Sequence, residues 1–91
     1  METTPNILDL TFQAGRIFER FWSEKDIHKR QQMTVSYYIY ESLEKLKEDS
    51  EMIEEILNHY GGFRHRFGYT YLCDADEFGR YCAMFDYTHK E

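Results

Sequence analysis

Proline and cysteine are nearly missing from this chain. It has one Pro, two Cys and five Gly in 91 residues, which suits one compact domain over residues 1–91 and leaves no room for a second core. No apolar run approaches the ~20 residues of a membrane span. Basic residues are outnumbered 11 to 17, for a formal charge of −6. That balance disfavours generic binding to nucleic-acid phosphates and to anionic membranes. Residues Met1–Pro5 lack the basic and apolar regions of an export signal, so a cytoplasmic location is expected, with Cys73 and Cys82 as reduced thiols.

Motifs for chemistry are missing too. There is no C-x-x-C, and His28, His59, His65 and His89 are scattered without zinc-ligand spacing, so no metal site is expected. Asp74, Asp76 and Glu77 match no calcium loop and read as a solvated hairpin tip. The glycine pair 61–62 follows a helix rather than preceding one, unlike a phosphate cradle. No nucleophile is placed beside a base. Neither a catalytic residue nor a cofactor is expected, and the chain is read as a non-enzyme.

What is abundant is aromatic surface: eight Tyr, seven Phe and one Trp. A domain of this size buries only about 60–65% of its unfolded surface. Some rings must therefore face solvent or a partner.

Periodicity predicts an α+β fold: two or three amphipathic helices over about 5–60, then a C-terminal antiparallel hairpin over about 66–88, packed on them. Thr4–Pro5 reads as a helix start. Ile7, Leu10, Ala14, Ile17 and Phe21 form a helical stripe to about Trp22. Ser23–Asp26 has capping-box spacing for a second helix. Val35, Ile39, Leu43 and Leu46 share one stripe, so 33–47 is read as helix, although Thr34–Tyr40 also carries a weak strand alternation. Asp49–Ser50 is read as the cap of a third helix, with Met52, Ile53, Ile56, Leu57 and Tyr60 as its stripe and Gly61–Gly62 as its stop.

Beyond that point alternation takes over. Phe67–Cys73 and Tyr81–Tyr87 are expected to pair around a turn at Asp76–Gly79, with Cys73 facing Cys82. In that register Phe67, Tyr69, Tyr71, Cys73, Cys82 and Met84 share one face. Thr70, Leu72, Tyr81, Ala83, Phe85 and Tyr87 share the other. Only one face can pack on the helices.

The segment 41–55 carries seven carboxylates against two lysines, a pattern that steers toward a basic target. The expected function is thus non-enzymatic protein binding, as an inhibitor or adaptor that meets a basic surface such as that of a nucleic-acid-handling enzyme. Small acidic chains of this kind are frequent among phage and mobile-element products. The expected partner-binding residues are Tyr37, Tyr40, Glu44, Glu48, Asp49, Tyr69, Tyr71 and Arg80. Two alternatives stand beside this reading. One is a nucleotide or single-stranded nucleic-acid site at Arg64, His65, Arg66 and Phe67, where basic and aromatic residues alternate. The other is a structural homodimer.

Overall fold

A computed structural model describes residues 7–90, with only the backbone of Thr70, Tyr71 and Cys73. The helix start read at Thr4–Pro5 lies outside the described residues. Helix α1 spans Ile7–Trp22 and buries Leu10, Ala14, Ile17 and Phe21, the stripe its periodicity predicts. Ser23 closes it, its hydroxyl donating to the Arg20 carbonyl at 2.6 Å. The second helix is a single turn, α2 (Ile27–Arg30), and starts later than the capping-box spacing implies. Its cap is Asp26, whose carboxylate accepts from the N–H groups of His28 and Lys29.

The helix expected over 33–47 is not formed as one piece. Thr34–Ile39 is a strand, β1, and a single helix, α3, follows over Leu43–Gly61. The β-branched and aromatic side chains of β1 suit a pleated surface, and the strand pairs along its length with the distant segment 81–86. Tertiary pairing wins over a helical periodicity that was only local. Ser42 caps α3, accepting from Lys45 N–H at 3.0 Å. Asp49 and Ser50 therefore cap nothing: both are buried in mid-helix. Gly61–Gly62 does stop the helix. Gly62 takes φ +69°, the left-handed region that favours glycine.

Strands β2 (His65–Cys73) and β3 (Tyr81–His89) complete a three-stranded antiparallel sheet in the order β1-β3-β2. The last strand is thus the central one. The turn between them uses Gly79 at φ +77°, and the Asp76 carboxylate accepts from the backbone N–H of Phe78 and Arg80, both at 2.9 Å. Cys73 stands opposite Cys82 as predicted. The register slips by one between Tyr69 and Tyr71, however, so Phe67 pairs with Tyr87 and Tyr69 with Phe85. A bulge exchanges the two faces of a strand at that point. Phe67, Tyr69 and Leu72 consequently share a face with Ala83, Phe85 and Tyr87, against the uniform alternation.

The main core cluster lies on that face, while Cys82 is buried on the other. Val35, Phe67, Ala83, Phe85 and Tyr87 pack with Leu10, Ala14, Ile17 and Phe21 of α1 and with Leu46, Ile53 and Leu57 of α3. The result has two layers, helices on one side of the sheet. On the outer side Thr34, Ser36, Tyr38, Arg66 and Thr88 are exposed.

Candidate functional site

Both long helices point the same way. Phe18 of α1 meets Tyr60 of α3 edge to face at 5.8 Å, while Asp9 and Leu10 line one cleft with Ile39, Lys45 and Asp49. The helix amino termini therefore share an end of the molecule with the hairpin tip. That end collects the acid: Asp9, Glu41, Glu44, Glu48, Asp74, Asp76 and Glu77. The opposite end holds α2, the carboxyl end of α3, the start of β2 and the end of β3. It carries all four histidines with Arg64, Arg66 and Lys90. Carboxylates near helix amino ends and cations near carboxyl ends suit the helix dipoles.

The residues expected to bind a partner divide into two groups. Tyr37, Asp49 and Tyr69 are turned inward. The Tyr37 hydroxyl donates to Asp49 at 3.1 Å, and Lys45 Nζ reaches the same carboxylate at 3.2 Å. Burial, reinforced by the Asp49 charge and hydrogen bond, pushes the Tyr37 hydroxyl above the ordinary tyrosine range. Tyr69 faces Glu51 of α3, its hydroxyl 3.5 Å from the carboxylate. Burial first, then Glu51 and Glu54, raises this hydroxyl as well. These residues join sheet to helix. Tyr40, Glu44 and Glu48 are exposed, and the Tyr71 side chain lies outside the described residues.

Arg80 behaves differently. Its guanidinium sits 4.5 Å from the centre of the Tyr38 ring and 5.1 Å from that of Phe78. Two hydrogen bonds to one Asp76 oxygen, at 3.0 Å from Nε and 2.7 Å from Nη2, hold it there. These bonds keep the Asp76 carboxyl below its usual range and raise Arg80. Tyr38 is 45% exposed and Phe78 65%. Together they make an ordered aromatic–Arg–aromatic stack on the outer side of the sheet. A helix over 33–47 favours Tyr37 and Tyr40 as the partner-facing rings and passes over Tyr38, whereas the observed strand turns Tyr38 outward. The weak strand alternation was the signal that points Tyr38 outward.

At the basic end, Phe67 is buried among Phe18, Phe21, Trp22 and Tyr87, so it offers no ring to a ligand. Phe63 does, being 86% exposed beside Arg64, His89 and Lys90. His65 is directed inward. Its Nδ1 shares a hydrogen bond with the Tyr87 hydroxyl, and its ring meets Trp22 edge-on at 5.1 Å and His89 at 5.3 Å. Burial first, then the charges of His89, Arg30 and Arg64, makes this imidazole harder to protonate than the ordinary 6.5.

This gives a sign. The unfolded chain takes up the proton at His65 before the folded chain does, so the residue's contribution is whole above pH 6.5 and lost as pH falls below it. Unfolding midpoints are expected to drop between about pH 7.5 and about pH 5.5, and His65→Gln should flatten that drop. Asp86 opposes it at lower pH, since burial raises its carboxyl. An unchanged slope in the variant would assign the dependence to other groups.

Among the described residues no group of three or more His, Cys, Asp or Glu is gathered to hold a metal ion. No helix there is long and apolar enough to cross a membrane. Comparison with protein-family models, curated proteins and solved structures finds no match for this chain. The functional reading therefore rests on the geometry.

Proposed function

We propose that this chain is a non-enzymatic protein-binding module, an inhibitor or adaptor, that presents the outer side of its sheet to a basic surface on a partner. The observation that carries this reading is the Tyr38–Arg80–Phe78 stack. Interface hot spots are enriched in Tyr and Arg held in ordered positions, and Asp76 holds Arg80 before any partner arrives. Freezing the guanidinium in advance lowers the ordering cost of association. The stack is flanked by Asp74, Asp76 and Glu77 at the tip and by Glu41 beyond β1. Those charges attract a basic partner and speed its encounter.

The test is crosslinking and mass spectrometry in native lysate, run with the parent chain and with a Tyr38→Ala/Phe78→Ser variant. Both substituted side chains are exposed, so the variant should keep the parent's circular dichroism and melting behaviour. A basic protein captured in stoichiometric amount by the parent should bind the variant at least about thirtyfold more weakly, the scale of a lost hot spot. Equal capture by parent and folded variant would remove the outer face from the reading.

A further inference from the structure

The two edges of the sheet are treated unequally. At β2 the Asn58 side chain of α3 clasps the edge backbone, its amide donating to the Phe67 carbonyl at 3.0 Å and its oxygen accepting from Phe67 N–H at 2.8 Å. Helix α3 presses close enough there that a Cβ on Gly61 would lie 3.0 Å from the Phe67 ring. At β1 nothing comparable occurs. Among the described residues, none of the backbone–backbone hydrogen bonds outside the strand ladders and helices ends on Thr34–Ile39. The strand has no Pro, no Lys, no charge and no break in register. These are the devices that normally blunt an edge.

A groove runs along this open edge beside α1. One cleft of about 290 Å³ is lined by Gln13, Arg16 and Ile17 of α1 and by residues 35–38. A second, of about 330 Å³, continues it past Gln13, Tyr37, Ile39 and Glu41 to Lys45, whose charge is paired with Asp49. Arg16 lies toward the start of β1 and Glu41 beyond its end, so the groove is positive at one end and negative at the other. An antiparallel second copy reverses that order. It sets Glu41 of each copy toward Arg16 of the other, while the strand between stays uncharged. The groove is complementary to itself.

We infer that β1 is a dimerisation edge, with a second copy of this chain pairing its own β1 antiparallel across a two-fold axis into one six-stranded sheet. The axis passes through Ser36 or Tyr37, since these registers keep Val35, Tyr37 and Ile39 on the helical side in both copies. The pairing joins the two outer faces side by side, and it does not depend on the partner-binding reading.

Sedimentation equilibrium on the full chain tests it. The parent is expected to show twice the 11.1 kDa chain mass. Arg16→Glu and Glu41→Arg change exposed side chains, so each variant should fold as the parent does. Each places like charges together at both ends of the paired strands and should weaken self-association about tenfold. Mixed in equal amounts, the two variants should associate as tightly as the parent, because opposite charges then meet at both ends. A monomer at millimolar concentration overturns the inference. So does a dimer indifferent to both substitutions, or a mixture no tighter than its components, and either result moves the contact to another surface or makes the edge a seat for a strand of a different protein.

Discussion

Phe67→Ala is expected to lower the free energy of unfolding by about 3–5 kcal/mol, the largest loss from any one ring in the molecule. The ring is 1% exposed and touches both layers. Its centre lies 5.5 Å from Phe21, 5.9 Å from Phe18 and 6.0 Å from Trp22 on α1, and 5.4 Å from Tyr87 on β3. Removing it opens a cavity bounded by other rings, which cannot collapse inward without leaving their own contacts. The backbone would stay clasped by Asn58, so the loss belongs to packing rather than to the edge. Small domains have about 5–15 kcal/mol in all, and the variant should be close to half unfolded at modest urea. Urea titration measures it. A fall below about 1 kcal/mol would mean that the aromatic cluster is not the keystone between helices and sheet.

Arg30 supplies the second large effect. It is 6% exposed, and among the described residues no carboxylate forms an ion pair with it. The guanidinium instead serves the carboxyl end of α1. Nε donates to the carbonyls of Phe21 and Glu24, both at 3.0 Å, and Nη2 donates to Glu24 at 2.7 Å. Helix ends leave carbonyls without intrahelical partners, and a cation there also meets the negative end of the dipole. Stacked 4.2 Å from the centre of the Trp22 ring and 5.4 Å from that of Tyr87, the planar group completes both the hydrogen bonds and the packing.

Arg30→Ala should cost about 3 kcal/mol, from lost charged hydrogen bonds and a desolvated cation–π contact. Arg30→Lys should cost about 2 kcal/mol, because an ammonium cannot reproduce the fork and the stack together. Trp22 is the chain's one tryptophan, so its emission reports the site directly and should shift in both variants. Full retention of stability by Arg30→Lys would show that charge alone is enough there.

Three elements were plain in the amino-acid order because their signals are local. The α1 stripe needs only the 3.6-residue repeat, the α3 stop needs only a glycine able to take positive φ, and the hairpin tip needs only Asp76 and Gly79. The acidic and basic segments were also legible, though not their separation to opposite ends. The elements that were misread depend on partners far along the chain. Residues 33–47 satisfy a helical stripe as well as a weak alternation, and pairing with 81–86 decides between them for 34–39. The bulge between Tyr69 and Tyr71 reverses every face assignment beyond it, and no single residue announces it.

Composition and periodicity therefore determined an α+β domain with more aromatic surface than its core can hold. They could not say which rings are surplus. Tyr37 and Tyr38 differ by one position, yet one reaches Asp49 in the interior and the other stacks on Arg80 outside, because a strand sends neighbours to opposite faces. Which strand lies at the centre, which edge Asn58 covers and which edge stays open were decided only when the chain closed on itself. Pairing of β1 with β3 joins residues from 42 (Ile39 with Tyr81) to 52 positions apart (Thr34 with Asp86), and that information is not carried by any local repeat.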